Sequence, residues 1–162
     1  MSENNHEGLA QTQFLSEIVM GFRFIVSFFA FGVVPNPLDI RFQKVRGFSA
    51  EVETTPLQAG GQNLYTQRLP TGITYGNLVL ERGLLVGSPL AIEINVALSL
   101  FRFTPSNVLV TLHNTLGIPI SAWLFVKAYP VKWTTADLDA NDKNVLIETI
   151  ELAYSRMQII RI

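Results

Sequence analysis

One stretch of this sequence carries oxygen ligands at a spacing that calcium-binding loops use. Counted from Asp137 as position 1, carboxylate or amide side chains fall at positions 1, 3, 5 and 12, namely Asp137, Asp139, Asn141 and Glu148. Calcium prefers such ligands, but its common helix-flanked loop also requires glycine at the sixth position, which here is Asp142. The flanking segments alternate like strands rather than helices. We interpret the stretch as a solvated turn and predict no metal site.

The other residues with chemical potential lack the partners that a reaction needs. His6 and His113 have no second ligand at metal-binding spacing. Gly60-Gly61 is followed by no Gly-Lys-Ser/Thr sequence, so it predicts a tight turn rather than a phosphate loop. Glu51 and Glu53 would share one strand face, but nothing nearby predicts the pocket and raised pKa of a catalytic pair. We predict that the chain is not an enzyme and takes no cofactor.

The composition indicates a chain with more apolar surface than one small domain can bury. Its 162 residues are 48% hydrophobic and 15% charged, against a usual charged share of about 25%. The formal net charge of −1 argues against a strong field for nucleic acid. There is no cysteine, which excludes disulfides and thiol chemistry. Surplus apolar surface of this kind is typical of burial between subunits.

Insertion into a membrane is the other destination for apolar surface, and the sequence argues against it. The most apolar stretch runs over 14–34, but Glu17 and Arg23 interrupt it. The uncharged run from Phe24 to Leu38 is shorter than the roughly 20 residues of a spanning helix. The first ten residues are polar and contain no Lys or Arg, unlike a signal peptide. We expect no stable membrane insertion.

A single helix is predicted with both a start signal and an apolar stripe. Ser88 can cap the first free N–H groups, and Pro89 suits the first helical position. The stripe follows at helical spacing and comprises Leu90, Ile94, Ala97, Leu98 and Phe101.

Most of the remaining chain alternates with the period of β-strands. Strands are predicted near 22–29, 40–53, 63–69, 77–82, 108–112, 121–133 and 145–159, with Gly47 as a bulge or bend and 56–62 as an exposed hairpin loop. The long strand Ser121–Trp133 is apolar on both faces. One face is assigned to Trp123, Phe125, Tyr129, Val131 and Trp133. Such a strand needs cover on both sides, which neighbouring copies could supply.

Taken in order, several segments resemble the tail tube proteins of contractile, phage-tail-like injection systems. The similarity covers about 22–157 and is carried by Pro35–Glu53, Gly61–Tyr65, Tyr75–Gly83, Ser88-Pro89-Leu90, Ala128–Trp133, Asp137–Asn141 and Ile147–Tyr154. The resemblance implies a mainly β fold: a β-barrel of two packed antiparallel sheets with one α-helix on the outside. The haemolysin-coregulated protein of type VI secretion shares that fold. We place this domain at 21–162.

The resemblance also implies a function in assembly. Six copies form a ring, rings stack into a hollow tube, and contraction of a surrounding sheath drives the tube through a target envelope. The implied partners are further copies of the chain, paralogous tube subunits, the sheath, the spike and the baseplate. The implied location is a particle assembled in the bacterial cytoplasm and then released.

Two sets of assembly residues are predicted within the domain. The ring-stacking loop is expected in the hairpin 53–63 and comprises Thr55, Pro56, Leu57, Gln58, Gly60 and Gly61. The lumen is expected to be lined by a polar strand face of mixed charge, comprising Arg41, Gln43, Ser49, Glu51 and Glu53.

An N-terminal extension, 1–20, goes beyond the usual tube pattern. Its apolar residues Phe14, Leu15, Ile18 and Val19 recur at helical spacing and predict a short amphipathic helix or arm. Such an arm could dock on a neighbouring copy, the spike or the baseplate, or it could be a frayed tail. The extension keeps open a tube-initiating ring beside the spike as an alternative to the repeating tube. A monomeric ligand-binding β-barrel is a more distant alternative.

Overall fold

The computed structural model describes residues 23–30, 34–35, 41–58, 60–61, 64–141 and 143–161. The described part contains ten strands and one helix. In chain order the elements are β1 (Phe24–Ala30), β2 (Val34–Pro35), β3 (Lys44–Arg46), β4 (Ala50–Leu57), β5 (Gln67–Tyr75), β6 (Leu78–Gly83), α1 (Pro89–Leu100), β7 (Ser106–His113), β8 (Pro119–Thr135), β9 (Ile147–Ala153) and β10 (Arg156–Arg161). No helix among these residues is long and apolar enough to cross a membrane.

Eight of the strands form one antiparallel sheet that is organised around the long strand β8. The order is β2-β1-β7-β8-β9-β6-β3, and β10 also pairs with β8. The first part of β8 lies between β7 and β10, and its second part pairs with β9. Thus β8 belongs to both halves of the sheet and joins them. The described strands leave this sheet open, so the mainly β class is confirmed but the barrel is not closed.

The two halves of the sheet share one hydrophobic core. From one half come Val26, Val108 and Phe125, and from the other come Leu80 and Ile150, each 0% exposed. Alternate burial along β6, β7 and β9 follows the period of two expected for strands with one face in a core. Two packed layers therefore exist, but they are the halves of one bent sheet.

Two irregularities in β8 change which of its side chains lie on the same face of the sheet. The pairing with β7 shifts near Lys127, which has a left-handed φ of 55°, and the pairing with β9 shifts between Pro130 and Lys132. Each extra residue reverses the side on which later residues lie. Phe125 is therefore buried, whereas Tyr129 and Val131 are exposed. The predicted common face from Trp123 to Trp133 is therefore wrong for Tyr129 and Val131, since the second extra residue restores the original side only from Lys132 onward.

Helix α1 covers the core, although with a narrower face than its sequence pattern predicts. Ser88 is the N-cap, and its hydroxyl accepts a hydrogen bond from the Ala91 N–H at 3.3 Å, as predicted. Leu90, Ile94 and Ala97 are buried. Leu98 and Phe101, which were expected in the same stripe, are exposed. The helix ends before Phe101, which adopts a left-handed C-cap conformation and leaves the helical line.

The predicted second strand is divided by a bend at Gly47. This residue has φ of 96°, and an added Cβ would lie 1.9 Å from the Asn77 carbonyl oxygen. Only glycine fits such a backbone. The bend places β3 in the main sheet and β4 in a separate two-stranded sheet with β5. The predicted bend is confirmed, but the continuous strand across it is not.

Candidate assembly surfaces

A buried polar cluster joins α1 to the sheet. The Arg82 guanidinium pairs with the Glu148 carboxylate, and both side chains are at most 4% exposed. Arg82 Nη2 also donates to Ser88 Oγ at 2.7 Å, and Trp133 Nε1 donates to Glu148 Oε2 at 3.2 Å. A buried ion pair is tolerated when its remaining hydrogen-bonding groups are satisfied in this way. The cluster holds the helix start against strands β6, β8 and β9.

This cluster also includes Glu148, the residue at position 12 of the calcium-like spacing. The carboxylate of Glu148 is directed to Arg82 and Trp133. Asp139 Oδ1 accepts the Asn141 N–H at 2.9 Å, which is the local contact expected in a turn. Asp137 lies in the same exposed segment. Among the described residues, no group of three or more acidic, His or Cys side chains is placed to hold a metal ion.

Of the two histidines, the structure describes His113. His6 lies outside the described residues. His113 is the last residue of β7, as its predicted place at a strand end requires, and its N–H donates to the Arg23 carbonyl at 2.8 Å.

The β4–β5 hairpin stands apart from the rest of the described fold. Every residue of β4, and every residue of β5 except Tyr75, is exposed. The predicted loop is shorter than expected, because Thr55, Pro56 and Leu57 pair with Leu69, Arg68 and Gln67 in the hairpin. Gln58, Gly60 and Gly61 follow the end of β4, with Gly60 and Gly61 in the turn. Pro70-Thr71-Gly72 falls between the predicted strands 63–69 and 77–82 but lies inside β5, at a bulge opposite Glu53 and Thr54.

One face of the hairpin is apolar and the other is polar near its base. The pair Val52 and Ile73 lies on the same face as Tyr75. Tyr75 is in ring contact with Tyr154, which in turn contacts core residue Phe125. The apolar face therefore continues the core beyond the body of the domain. Such a face is suited to a neighbouring subunit.

The predicted lumen residues are all exposed but do not share one strand. Glu51 and Glu53 lie on the polar face of the hairpin, where Thr74 Oγ1 donates to the Glu53 carboxylate. Arg41 and Gln43 precede the Gly47 bend, and the Gln43 N–H donates to the Glu81 carbonyl at 2.8 Å. Ser49 lies between the two groups. The structure brings the glutamates together and separates them from Arg41 and Gln43.

Unpaired strand edges offer a second type of assembly surface. In the described chain β10 pairs along one edge with β8, and the second half of β8 pairs only with β9. No further described strand pairs with these elements. Exposed edges of this length can add a strand from another chain.

Exposed apolar side chains cluster around α1. Leu84, Leu85 and Val86 precede the helix, and Ile92 and Leu100 lie on its outer side. Phe101, Phe103 and Tyr129 form a chain of ring contacts beyond its end. Sequence reasoning missed this aromatic chain because the bulges in β8 decide that Tyr129 faces outward. The predicted arm residues Phe14, Leu15, Ile18 and Val19 lie outside the described residues.

Comparisons with known proteins identify the family of the chain. The family model described as "T4-like virus tail tube protein gp19" matches residues 20–158. The chain belongs to this family, and the resemblance inferred from the sequence is confirmed. It is a tail tube-like protein of contractile injection systems, and this is a structural family rather than one known for catalysis. No curated protein sequence matches the chain.

Solved structures with the same fold include chains of two injection particles. A chain of the six-fold symmetrised baseplate of the anti-feeding prophage is 36% identical, covers 91% of this chain and 98% of its own length, and has a TM-score of 0.82. A chain of the PVC extracellular contractile injection system, in its extended sheath–tube complex, is 21% identical. It covers 94% of this chain and 97% of its own length, with a TM-score of 0.76. Hcp1 from Flavobacterium johnsoniae is 19% identical. It covers 83% of this chain and 94% of its own length, with a TM-score of 0.50.

Proposed function

We propose that this chain forms hexameric rings that belong to the inner tube of a contractile injection particle. The observation that carries the proposal is the pair of open strand edges on β10 and on the second half of β8. A head-to-tail contact between different edges closes into a ring when its rotation fits a whole number of subunits. The number six is taken from the family resemblance and from the six-fold symmetry of the anti-feeding prophage baseplate.

Stacking of rings is assigned to the β4–β5 hairpin. Its exposed strands project from the body, and its apolar face carries Val52 and Ile73. A neighbouring ring would cover that face. The polar face with Glu51 and Glu53 is then assigned to the lumen, where charged, hydrated side chains would let cargo pass without adhering.

A position next to the baseplate is the more specific form of this proposal. The chain is 36% identical to a chain of the anti-feeding prophage baseplate but 21–22% identical to chains of extended sheath–tube, cap and terminator structures. That difference favours a ring that starts the tube beside the spike. Partners would then be the spike, the baseplate and paralogous tube subunits, in a particle assembled in the bacterial cytoplasm and released.

Negative-stain electron microscopy of the purified chain, together with its mass in solution, tests the proposal. Six-fold rings that remain single are expected for a tube-initiating ring, and adding a paralogous tube subunit should extend them. Long tubes formed by the chain alone would contradict the baseplate position but not the tube function. A monodisperse monomer at high concentration would contradict both, and would favour the ligand-binding alternative.

A further inference from the structure

An apolar groove lies beside the end of α1. Its volume is about 620 Å³, in the range of sites that bury a ligand or several side chains. Its lining is almost entirely apolar and includes Leu98, Phe101, Phe103, Pro105, Tyr129 and Val131. The adjacent second half of β8 has a free edge. The groove is thus continuous with the surface on which the proposed ring contact depends.

The helix ends in an aromatic side chain that is exposed to solvent and has an unfavourable backbone conformation. Phe101 is 84% exposed, and its φ of 53° is unfavourable for a residue that carries a side chain. Its ring meets Phe103 edge-on at 5.1 Å, and Phe103 meets Tyr129 at 5.7 Å. Partly exposed aromatic groups arranged in this way are typical anchors of protein interfaces. A partner that covers these rings would remove their unfavourable exposure to water.

The N-terminal segment has the chemistry that this groove would recognise. Residues 14–19 provide four apolar side chains at helical spacing. The first 22 residues contain Glu3, Glu7 and Glu17 but no Lys or Arg. Exposed Arg102 lies between the two groove phenylalanines, and Lys132, which also pairs with Glu151 at 3.3 Å, follows Val131. An acidic amphipathic segment therefore complements both the apolar floor and the basic neighbours of the groove.

The geometry of β7 limits how far Ile18 and Val19 can reach within their own chain. Arg23 is held beside His113 at the last residue of β7, whereas the groove begins at Pro105, just before the first. At roughly 3.4 Å per residue the strand separates these points by about 24 Å. The residue steps from Arg23 back to Val19 and Ile18, four and five in number, span at most about 14 Å and about 18 Å. Ile18 and Val19 therefore cannot enter the groove of their own chain along this path.

We propose that the groove formed by Leu98, Phe101, Phe103 and Tyr129 binds the amphipathic segment Phe14–Val19 of a neighbouring copy. The inference rests on the proposed ring-forming function and adds a strap that links successive subunits. Because the strap buries exposed aromatic side chains, it stabilises the assembled ring rather than the isolated chain.

Cysteine cross-linking tests the strap directly, because the natural chain has no cysteine. Two full-length single-cysteine variants, Ile18→Cys with an affinity tag and Leu98→Cys without one, are mixed, assembled and oxidised. A disulfide between the two chains is expected, since it forms only when the Cα atoms approach to about 4–7 Å. The matched control replaces Leu98→Cys by Leu116→Cys, in the exposed turn between β7 and β8.

The expected result is about tenfold more mixed disulfide with Leu98→Cys than with Leu116→Cys, given this distance dependence. Normal rings in the micrographs with equal or no cross-linking would overturn the strap and leave the ring function standing. A failure to form rings without oxidation would instead count against the proposed function. As a second measurement, Ile18→Ala and Phe101→Ala should each raise the concentration for half-assembly roughly tenfold, and together by less than the product. Independent, multiplying effects would contradict the contact.

Discussion

At the scale of single residues, the buried ion pair is the most informative feature. Arg82 and Glu148 are separated by 66 positions in the chain, and no local pattern announces their contact. Ser88 and Trp133 complete their hydrogen bonding. The pair gives the helix start one defined position on the sheet, since a shifted helix would leave buried charge without a partner.

Replacing Glu148→Gln is expected to lower the free energy of unfolding by about 3 kcal/mol, because the Arg82 charge would remain buried without its counter-charge. Urea unfolding followed by tryptophan fluorescence measures the change. Glu151→Gln is the matched control, since its partner Lys132 is 63% exposed and its own side chain is 25% exposed, against at most 4% in the buried pair; this pair should contribute less than about 1 kcal/mol. Equal effects of the two substitutions would contradict this account.

Tyr154 is expected to make the folding stability of the chain depend on pH under alkaline conditions. Burial, and secondarily the neighbouring Tyr75, raises the pKa of Tyr154, and its hydroxyl is buried without a hydrogen-bond partner in the described structure. Above about pH 10 the unfolded chain loses this proton while the folded chain retains it. Folding then requires proton uptake, so stability falls as the pH rises.

Tyr154→Phe removes the titrating group and the unsatisfied hydroxyl together. We expect a shallower loss of melting temperature between about pH 9 and 11. At pH 7 the free energy of unfolding should be unchanged or raised by up to about 1 kcal/mol. The measurement is thermal unfolding by circular dichroism at several pH values. A pH profile identical to that of the natural chain would show that Tyr154 does not carry the effect.

At the scale of elements, Gly47 decides which sheet each half of the predicted second strand joins. Gly47→Ala should destabilise the chain by about 3 kcal/mol, because φ is 96° and the new Cβ would overlap the Asn77 carbonyl. Gly60→Ala is the control, since nothing lies within 4 Å of its added Cβ. It should change stability by less than about 0.5 kcal/mol. Denaturant unfolding distinguishes the two, and similar values would rule out a special role for Gly47.

At the scale of the whole molecule, the hairpin and the strand edges are expected to serve different contacts. Replacing residues 55–69 by Asn-Gly, a pair suited to two-residue hairpin turns, shortens the hairpin beyond Thr54 and Pro70. Rings should still form, because the replaced residues lie beyond the base of the hairpin, where Tyr75 contacts Tyr154. Their joining to a further ring should be lost. Electron microscopy with a paralogous tube subunit present measures both, with the natural chain as the reference, and unimpaired joining would remove the stacking role.

Much of the architecture could be predicted because it depends on short-range patterns. The cap at Ser88, the bend at Gly47 and the alternation that buries Val26 and Phe28 all follow from the residues themselves. The absence of cysteine, the low charge and the surplus apolar surface likewise follow from composition alone. These features, with the family resemblance, were sufficient to predict a mainly β subunit of an assembly.

The tertiary structure decided what depends on register and on distant partners. The bulge near Lys127 reverses the side of Tyr129, and Val131 is the extra residue of a second bulge. A period-two pattern contains no sign of an inserted residue. The helix stripe predicted to include Phe101 instead ends in an exposed aromatic side chain. Glu148 pairs with Arg82 across the sheet rather than with the aspartates beside it. Sequence spacing determined which residues were candidates for a metal site, a helix stripe or a strand face. Long-range strand pairing determined which of these residues lie together.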